Sequence, residues 1–213
     1  VVSVTVVTEE FYMNAVLDDA GKLDRMLIKA HNVLIKHNET RFLASSILTG
    51  ESAIVDEVKT AMTNGRDKLY GREFMSKLKF EEMVGVVLHE NGHVVLNHIP
   101  RYKKLPDRDL ANIAADHVIN NMIHKLKGYG DWIVLPDPHI YDPKYDGWDV
   151  LEIYRDLEKE QESGKGNGKG NGSGDIGHGG FDEHDYSVIE GMTDEQEACL
   201  LYTSPSPRDG LLS

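Results

Sequence analysis

One apolar segment, interrupted at its centre by ionisable side chains, constrains this chain more than any other feature. Residues 84–96 are almost entirely aliphatic, except for His89-Glu90-Asn-Gly-His93 in the middle. The segment 78–97 is predicted to form a helix that Pro100 should end. Two imidazoles and a carboxylate are costly to bury in such a helix unless they are paired or bound to a ligand. An ordinary buried helix with two hydrogen-bonded histidines is the alternative to a binding site.

The spacing within this motif indicates a metal site. His89 and His93 are four residues apart, so both imidazoles leave the same face of a helix and can bind one Zn²⁺ at about 2.0–2.1 Å. Glu90 is offset by one residue, which places it beside the ion without requiring it to be a ligand. It can then accept a proton from a water molecule at the metal, as in metalloproteases. We therefore predict zinc as the cofactor and Glu90 as the catalytic base.

The third protein ligand has two candidates, of which His98 is the nearer in sequence. If the helix continues without a break, nine steps of about 100° place His98 on the face opposite His89. Zinc proteases with a third histidine shortly after the pair use a glycine to turn the chain back. No glycine lies between His93 and His98. We therefore expect His98 to lie outside the ligand set.

Asp116 is the stronger candidate for the third ligand. The helix predicted over residues 107–127 is mostly apolar, but it carries Asn112, Asp116 and Asn120 at spacing i, i+4, i+8. A solvated helix face usually carries Lys and Glu, whereas one carboxylate between two amides suits a metal ligand with orienting neighbours. We favour Asp116, with Asn112 and Asn120 as its polar neighbours, and keep His98 as the alternative third ligand.

The order of the predicted elements indicates an α+β fold. Amphipathic or apolar helices are predicted over residues 17–36, 78–97, 107–127 and 149–162. Between the first two, Asn64-Gly65 is a hairpin signal, because both central residues of a two-residue primed turn need positive φ. A strand within residues 53–63 should therefore pair with a returning strand at residues 68–70.

Composition excludes several classes of function. The chain has 23 basic and 36 acidic residues, a formal charge of −13, which argues against a nucleic-acid-binding surface. No apolar run approaches the length of a membrane span, so no membrane association is expected. The single cysteine, Cys199, cannot form an internal disulfide, and a cytoplasmic location is the expectation.

The last quarter of the chain differs in composition from the rest. We assign residues 1–162 to one folded domain and the glycine-rich residues 163–180 to a flexible linker. Residues 181–198 are expected to begin a truncated C-terminal region. Residues 199–213 open with a segment that reads as a translated sequencing adapter. This tail is therefore expected to be foreign to the natural protein.

Four short segments occur in a specific order along the chain, namely Thr60–Arg66, His89–His93, Asn112–Asp116 and Tyr145–Tyr154. Together they resemble the metallopeptidase domain that precedes a von Willebrand A-like domain in bacterial and phage proteins. The resemblance extends over about residues 23–157.

This resemblance implies a zincin-like fold, in which helices pack with a small β-hairpin or sheet over the active-site helix. It implies His89, His93 and Asp116 as metal ligands and Glu90 as the base. It also implies a missing von Willebrand A-like domain beyond the linker, through which a protein partner could bind. In zincins an edge strand above the metal pairs with extended substrate, and the strand before Asn64-Gly65 is expected to take that role.

Three functions remain open from the sequence. The favoured one is a zinc-dependent peptidase that acts on peptide or protein substrates. The alternative is a catalytically silent, metal-stabilised scaffold that acts through protein partners, and hydrolysis of a non-peptide bond is the third. Only three ligands are evident, which leaves a position for water, whereas a structural zinc site usually fills four positions with His and Cys.

Side chains that could donate a hydrogen bond to a developing oxyanion are also needed at such a site. The candidates in the sequence are His117, His124, Tyr141 and Tyr145. Of these, His117 and Tyr145 are the preferred neighbours of the metal ligands. His178 near the end of the linker and His184 just after it are expected to be solvated.

Overall fold

The computed structural model describes residues 19–163 and 182–184, and for the last three it describes the backbone. The fold is α+β, as the sequence predicts. Its seven described helices are α1 (Asp19–Lys36), α2 (Ala44–Ile47), α3 (Arg72–Lys77), α4 (Phe80–Val95), α5 (His98–Tyr102), α6 (Arg108–His124) and α7 (Val150–Glu162). Short 3₁₀ turns at Arg41–Leu43 and Pro143–Tyr145 precede α2 and α7. Residues 17 and 18 of the first predicted helix lie outside the described part.

A small mixed sheet accompanies the helices. Its strands are β1 (Ser52–Val55), β2 (Ala61–Thr63), β3 (Lys68–Gly71) and β4 (Asp182–His184), in the order β1-β3-β2-β4. The predicted hairpin is present, since β2 and β3 are antiparallel. However, β4 pairs in parallel with the other side of β2. The expectation that the strand before Asn64-Gly65 is an edge strand is therefore wrong, because a strand from much later in the chain covers it.

The turn between β2 and β3 also differs from the expected two-residue turn. Thr63 is paired with Lys68, so the loop has four residues, 64–67. Gly65 has a positive φ of 87°, and it is the only residue of this loop that does. Asn64 contributes through its side chain instead, because its Oδ1 accepts hydrogen bonds from the backbone N–H groups of Arg66 (3.0 Å) and Asp67 (2.7 Å). Asparagine commonly stabilises turns in this way.

Helix α4 forms the centre of the main core. Every residue from 83 to 95 is buried. Its N-terminus is closed by Glu82, whose Oε2 accepts a hydrogen bond of 2.7 Å from the backbone N–H of Lys79. At Gly85 an added Cβ would lie 2.0 Å from the carbonyl oxygen of Val134. The glycine therefore lets the segment after α6 cross directly over α4.

The end of α4 differs from the prediction. The helix stops at Val95, and Asn97 adopts the left-handed conformation with φ 53° and ψ 40°. Asparagine tolerates this conformation better than most residues do. A new short helix, α5, then begins at His98 and contains Pro100 in its first turn, where proline is acceptable. Pro100 is thus not the residue that ends α4.

A second, smaller core lies between α6 and α7. Asp107 caps α6 as predicted, since its side chain accepts a hydrogen bond from the backbone N–H of Leu110 at 2.9 Å. The buried residues of this core are Leu110, Ala111, Ala114, Ala115, Tyr145, Val150, Ile153 and Tyr154. Helix α6 therefore has one face toward α7 and another toward α4, where Ile119 and Ile123 join the main core.

Within the described residues no helix is both long and apolar enough to cross a membrane. The predicted linker and the predicted foreign tail lie outside the described residues, apart from Ser163 at the start of the linker. Those two assignments stay predictions.

The main core includes one buried cation. Lys68 on β3 is 0% exposed, and its Nζ donates hydrogen bonds to the carbonyl oxygens of Ser46 (3.0 Å) and Thr49 (2.5 Å). Burial lowers the pKa of this lysine to about 8, although the negative charges of Asp67 and Glu90 oppose the change. The charge of Lys68 is therefore tolerated in the core only with these partners.

We predict that Lys68→Met changes the pH dependence of stability. The lysine titrates near 10.5 in the unfolded chain and near 8 in the folded chain. Between these two pH values the unfolded chain binds more protons, so the wild type gains stability as the pH rises. The free energy of unfolding of the wild type, measured by chemical denaturation, should rise relative to that of the variant across this window. Lys59→Met, at an exposed position, is the control. A difference between wild type and Lys68→Met that is independent of pH would contradict the prediction.

Candidate metal centre

Three side-chain atoms from α4 and α6 converge on one point. His93 Nε2 lies 3.0 Å from His89 Nε2 and 3.1 Å from Asp116 Oδ1, and His89 Nε2 lies 3.5 Å from Asp116 Oδ1. A four-coordinate zinc ion with bonds of about 2.0–2.1 Å would separate its ligand atoms by about 3.3 Å. The observed triangle therefore has the size that a tetrahedral ion requires. Among the described residues, these three form a group of His and carboxylate side chains that could hold a metal ion.

The burial of this group supports a bound cation. The side chains of His89, His93 and Asp116 are 1%, 0% and 3% exposed. Asp116 Oδ1 makes no hydrogen bond within the described residues, despite its burial. A buried carboxylate oxygen facing two imidazole nitrogens is costly unless a positive charge lies between them. The donor set fits a divalent metal ion.

The close approach of α4 and α6 depends on a glycine. A Cβ added at Gly92 would lie 3.1–3.2 Å from the side-chain carbons of Ile119, a tight contact. Gly92 precedes His93, and Ile119 follows Asp116 by three residues on α6. The small residue at position 92 thus brings the two helices together beside the converging donor atoms.

Each histidine of the group has a partner on its other ring nitrogen. His89 Nδ1 lies 2.8 Å from Asn120 Oδ1, so it donates to the amide when Nε2 is unprotonated. Asn120 is held in turn, because its Nδ2 donates to the carbonyl oxygen of Ile140 at 2.8 Å. His93 Nδ1 lies 3.2 Å from His98 Nδ1. Such partners select the tautomer in which Nε2 offers its lone pair to a metal.

The position of His98 corrects the argument from the sequence. A straight helix would place His98 opposite His89. The left-handed residue Asn97 instead turns the chain back without a glycine. His98 is thereby brought to His93, but it contacts Nδ1 and not the Nε2 that faces Asp116. This contact was missed because a single asparagine carries little sequence signal for a left-handed break.

The polar stripe on α6 is also used differently than expected. Both polar atoms of the Asn120 side chain are engaged by His89 and Ile140, so this amide orients a histidine rather than the Asp116 carboxylate. Asn112 is half-buried, and its Oδ1 makes no hydrogen bond within the described residues. The i, i+4 spacing therefore located the right face of the helix, but on that face Asn120 contacts His89 and not Asp116.

Glu90 is completely buried and lies toward the sheet. Its exposure is 0%. Tyr70 on β3 has its pKa raised well above the usual value, first by burial and then by the negative charge of Glu90. The same charge acts on Lys68. Glu90 thus lies close to two buried polar side chains of β3, while its neighbour in sequence, His89, faces α6.

Two of the candidate oxyanion donors belong to the packing of α6 on α7. The rings of His117 and Tyr145 are 4.7 Å apart, and the Tyr145 hydroxyl donates to Asp156 Oδ2 at 3.1 Å. Burial is the main cause that raises the pKa of Tyr145 to about 12 and that lowers the pKa of His117. The other two, His124 and Tyr141, stack on each other with ring centroids 3.9 Å apart. The side chains of His178 and His184 lie outside the described part.

We predict that Asp116→Ala loses its metal whereas His98→Ala keeps most of it. Asp116 supplies one of three converging donor atoms, but His98 contacts only the far nitrogen of His93. Loss of such an orienting partner typically weakens metal binding about 10–100-fold, and loss of a ligand should weaken it much more. The measurement is the zinc content of each purified variant after dialysis against a weak chelator. Asn112→Ala on the same helix face is the control. An empty His98→Ala and a loaded Asp116→Ala would refute this ligand set.

Comparison with known proteins agrees with a metal-dependent peptidase. Neither a curated protein nor a solved structure matches the chain. A family model described as "Putative metallopeptidase domain" matches residues 23–198, which include all three converging residues and Glu90. Because the match covers most of the 213 residues, the chain belongs to this metallopeptidase-domain family.

Proposed function

We propose that this domain is a zinc-dependent peptidase with a zincin-like arrangement of its active site. The observation that carries the proposal is the buried triangle of His89, His93 and Asp116 with Glu90 next to the first histidine. Family membership and the His-His-Asp group support a metal-dependent peptidase in general. The choice of zinc and the mechanism are our extension of that support.

Zinc is proposed because of the donor set. Two imidazole nitrogens and one carboxylate oxygen are typical of catalytic zinc sites, which keep a fourth position for water or substrate. When bound, Zn²⁺ would polarise the substrate carbonyl and make a water molecule easier to deprotonate. His89 and His93 would hold the ion through Nε2, while Asn120 and His98 contact the Nδ1 atoms and favour the tautomer that this requires.

Glu90 is proposed as the proton carrier. Its carboxylate accepts a proton from the attacking water and then donates that proton to the nitrogen of the leaving amine. The charges of Glu90 and Lys68 attract each other. Burial of Glu90 and of the ligands keeps bulk water away from the transferred proton.

The peptide substrate is proposed to bind in an extended form. Extended peptides commonly add to an exposed sheet edge through main-chain hydrogen bonds. Strand β2 has partners on both sides, namely β3 and β4. The edge strands of the described sheet are β1 and β4, so we propose that the peptide adds at the outer side of one of these two strands.

A metal-stabilised scaffold is the second candidate, and one observation favours it. All three donor residues are nearly inaccessible, at 3% exposure or less, as expected for a structural ion. In this alternative the domain acts through protein partners, together with the von Willebrand A-like domain that the sequence resemblance implies. The two candidate functions assign different roles to Glu90, because a purely structural metal site needs no catalytic base.

We predict that Glu90→Gln keeps its metal and loses turnover. The amide has nearly the same shape as the carboxylate but cannot accept the proton. Loss of a general base typically costs about 10²–10⁴-fold in rate. Zinc content and cleavage of an unbiased peptide library, read by mass spectrometry, are measured on the same preparations.

Glu81→Gln, in the first turn of the same helix, is the matched control and should keep both metal and activity. A metal-free Glu90→Gln would show that Glu90 is a ligand, and unchanged cleavage would show that it is not the base. A wild type that binds zinc, unfolds when zinc is removed and cleaves no peptide would favour the scaffold.

A further inference from the structure

A second pair of histidines converges at the C-terminal end of α6. His124, the last residue of the helix, has its Nε2 2.9 Å from His139 Nε2. The Tyr129 hydroxyl lies 3.3 Å from the same nitrogen of His124. His124 Nε2 thus has a second imidazole nitrogen and a phenol oxygen beside it. These atoms take no part in the contacts among His89, His93 and Asp116.

The geometry of this pair resembles that of a metal site. Two ligands with bonds of about 2.0–2.1 Å are about 2.9 Å apart at an angle of 90° and about 3.3 Å apart at the tetrahedral angle. The observed separation of 2.9 Å corresponds to the smaller angle. Without an ion, two neutral imidazoles at this distance share only one N–H···N hydrogen bond.

Neighbouring groups lie against both rings. Asp137 Oδ1 lies 3.2 Å from His139 Nδ1 without making a hydrogen bond to it, so the carboxylate places a negative charge near the ring but does not fix its orientation. The ring of His124 stacks on Tyr141 at 3.9 Å, with an interplanar angle of 19°. The loop that carries His139 is tied to α6, because Asn120 donates to the carbonyl oxygen of Ile140. The helix and the loop that carry the two imidazoles are therefore joined before any ligand arrives.

The exposure of the pair suits a metal ion. The side chain of His139 is 13% exposed and that of Asp137 is 94% exposed. An ion can therefore reach this pair more easily than the buried centre.

We propose that His124 and His139 bind a second divalent transition-metal ion through their Nε2 atoms, with the Tyr129 hydroxyl as a third, weaker donor. Imidazole donors suit Zn²⁺, Cu²⁺ and Ni²⁺ and do not suit Mg²⁺ or Ca²⁺. With only two nitrogen ligands this ion is held more weakly than the ion at His89, His93 and Asp116, and it exchanges with solvent. The site does not depend on the peptidase function.

Zinc titration of the metal-free full chain tests the proposal. The wild type should bind two Zn²⁺ ions per chain with distinct affinities, and a moderate chelator should remove the weaker one first. His139→Gln should bind only the tighter ion. His37→Gln is the matched control, because His37 also stacks on an aromatic ring, that of Trp132 at 3.8 Å, and should still bind two.

A second variant keeps the test independent of any folding defect in His139→Gln. Asp137→Asn leaves both imidazoles intact but removes the negative charge 3.2 Å from His139 Nδ1, so it should reduce the affinity of the weaker site by up to about fivefold, the usual limit for an exposed charge. Titrations with Cu²⁺ or Co²⁺, followed by the absorption of the bound ion, should rank the affinities of the wild type and the variants in the same order. The proposal would be overturned by a wild type that binds only one Zn²⁺ ion per chain. It would also be overturned if the wild type, His139→Gln and Asp137→Asn bound Zn²⁺ equally. Equal loss in His37→Gln would also overturn it.

Discussion

The structure depends on the contact between α4 and α6, where two apolar helices place ionisable side chains against each other. Gly92 permits this approach by leaving room for Ile119. The result is a carboxylate and two imidazoles with almost no exposure to water. Such an arrangement is favourable only when the charges are compensated. A cation at the centre of the triangle would remove this cost and would make metal binding part of the stability of the domain.

The elements around this contact act mainly by orienting it. Asn120 joins His89 to the loop after α6, and His98 joins His93 to the short helix that follows α4. On the opposite side, β3 presents Lys68 and Tyr70 to Glu90. The ligands and the proposed base therefore have separate supports, the ligands from helices and a loop, the base from the sheet. A change in one support should alter metal affinity or proton transfer, but not both equally.

The loop between α6 and α7 connects this centre to the second histidine pair. Its Ile140 accepts a hydrogen bond from Asn120, and its neighbour His139 meets His124 one helical turn further along α6. The two groups of histidines thus share one helix and one loop, although their donor atoms are separate. Tyr141 of the same loop stacks on His124 at the end of α6, so this aromatic contact holds the loop against the helix.

The sequence alone determined the features that follow from local periodicity. These features are the i, i+4 spacing of His89 and His93, the stripe containing Asp116, the cap at Asp107 and the pairing of β2 with β3. Each of them depends on neighbours a few residues away. Only the tertiary structure decided the break at Asn97, the pairing of β4 with β2 and the meeting of His139 with His124. The first depends on one residue adopting a left-handed conformation, and the other two depend on segments distant in sequence. Those choices are decided by packing, which local patterns do not record.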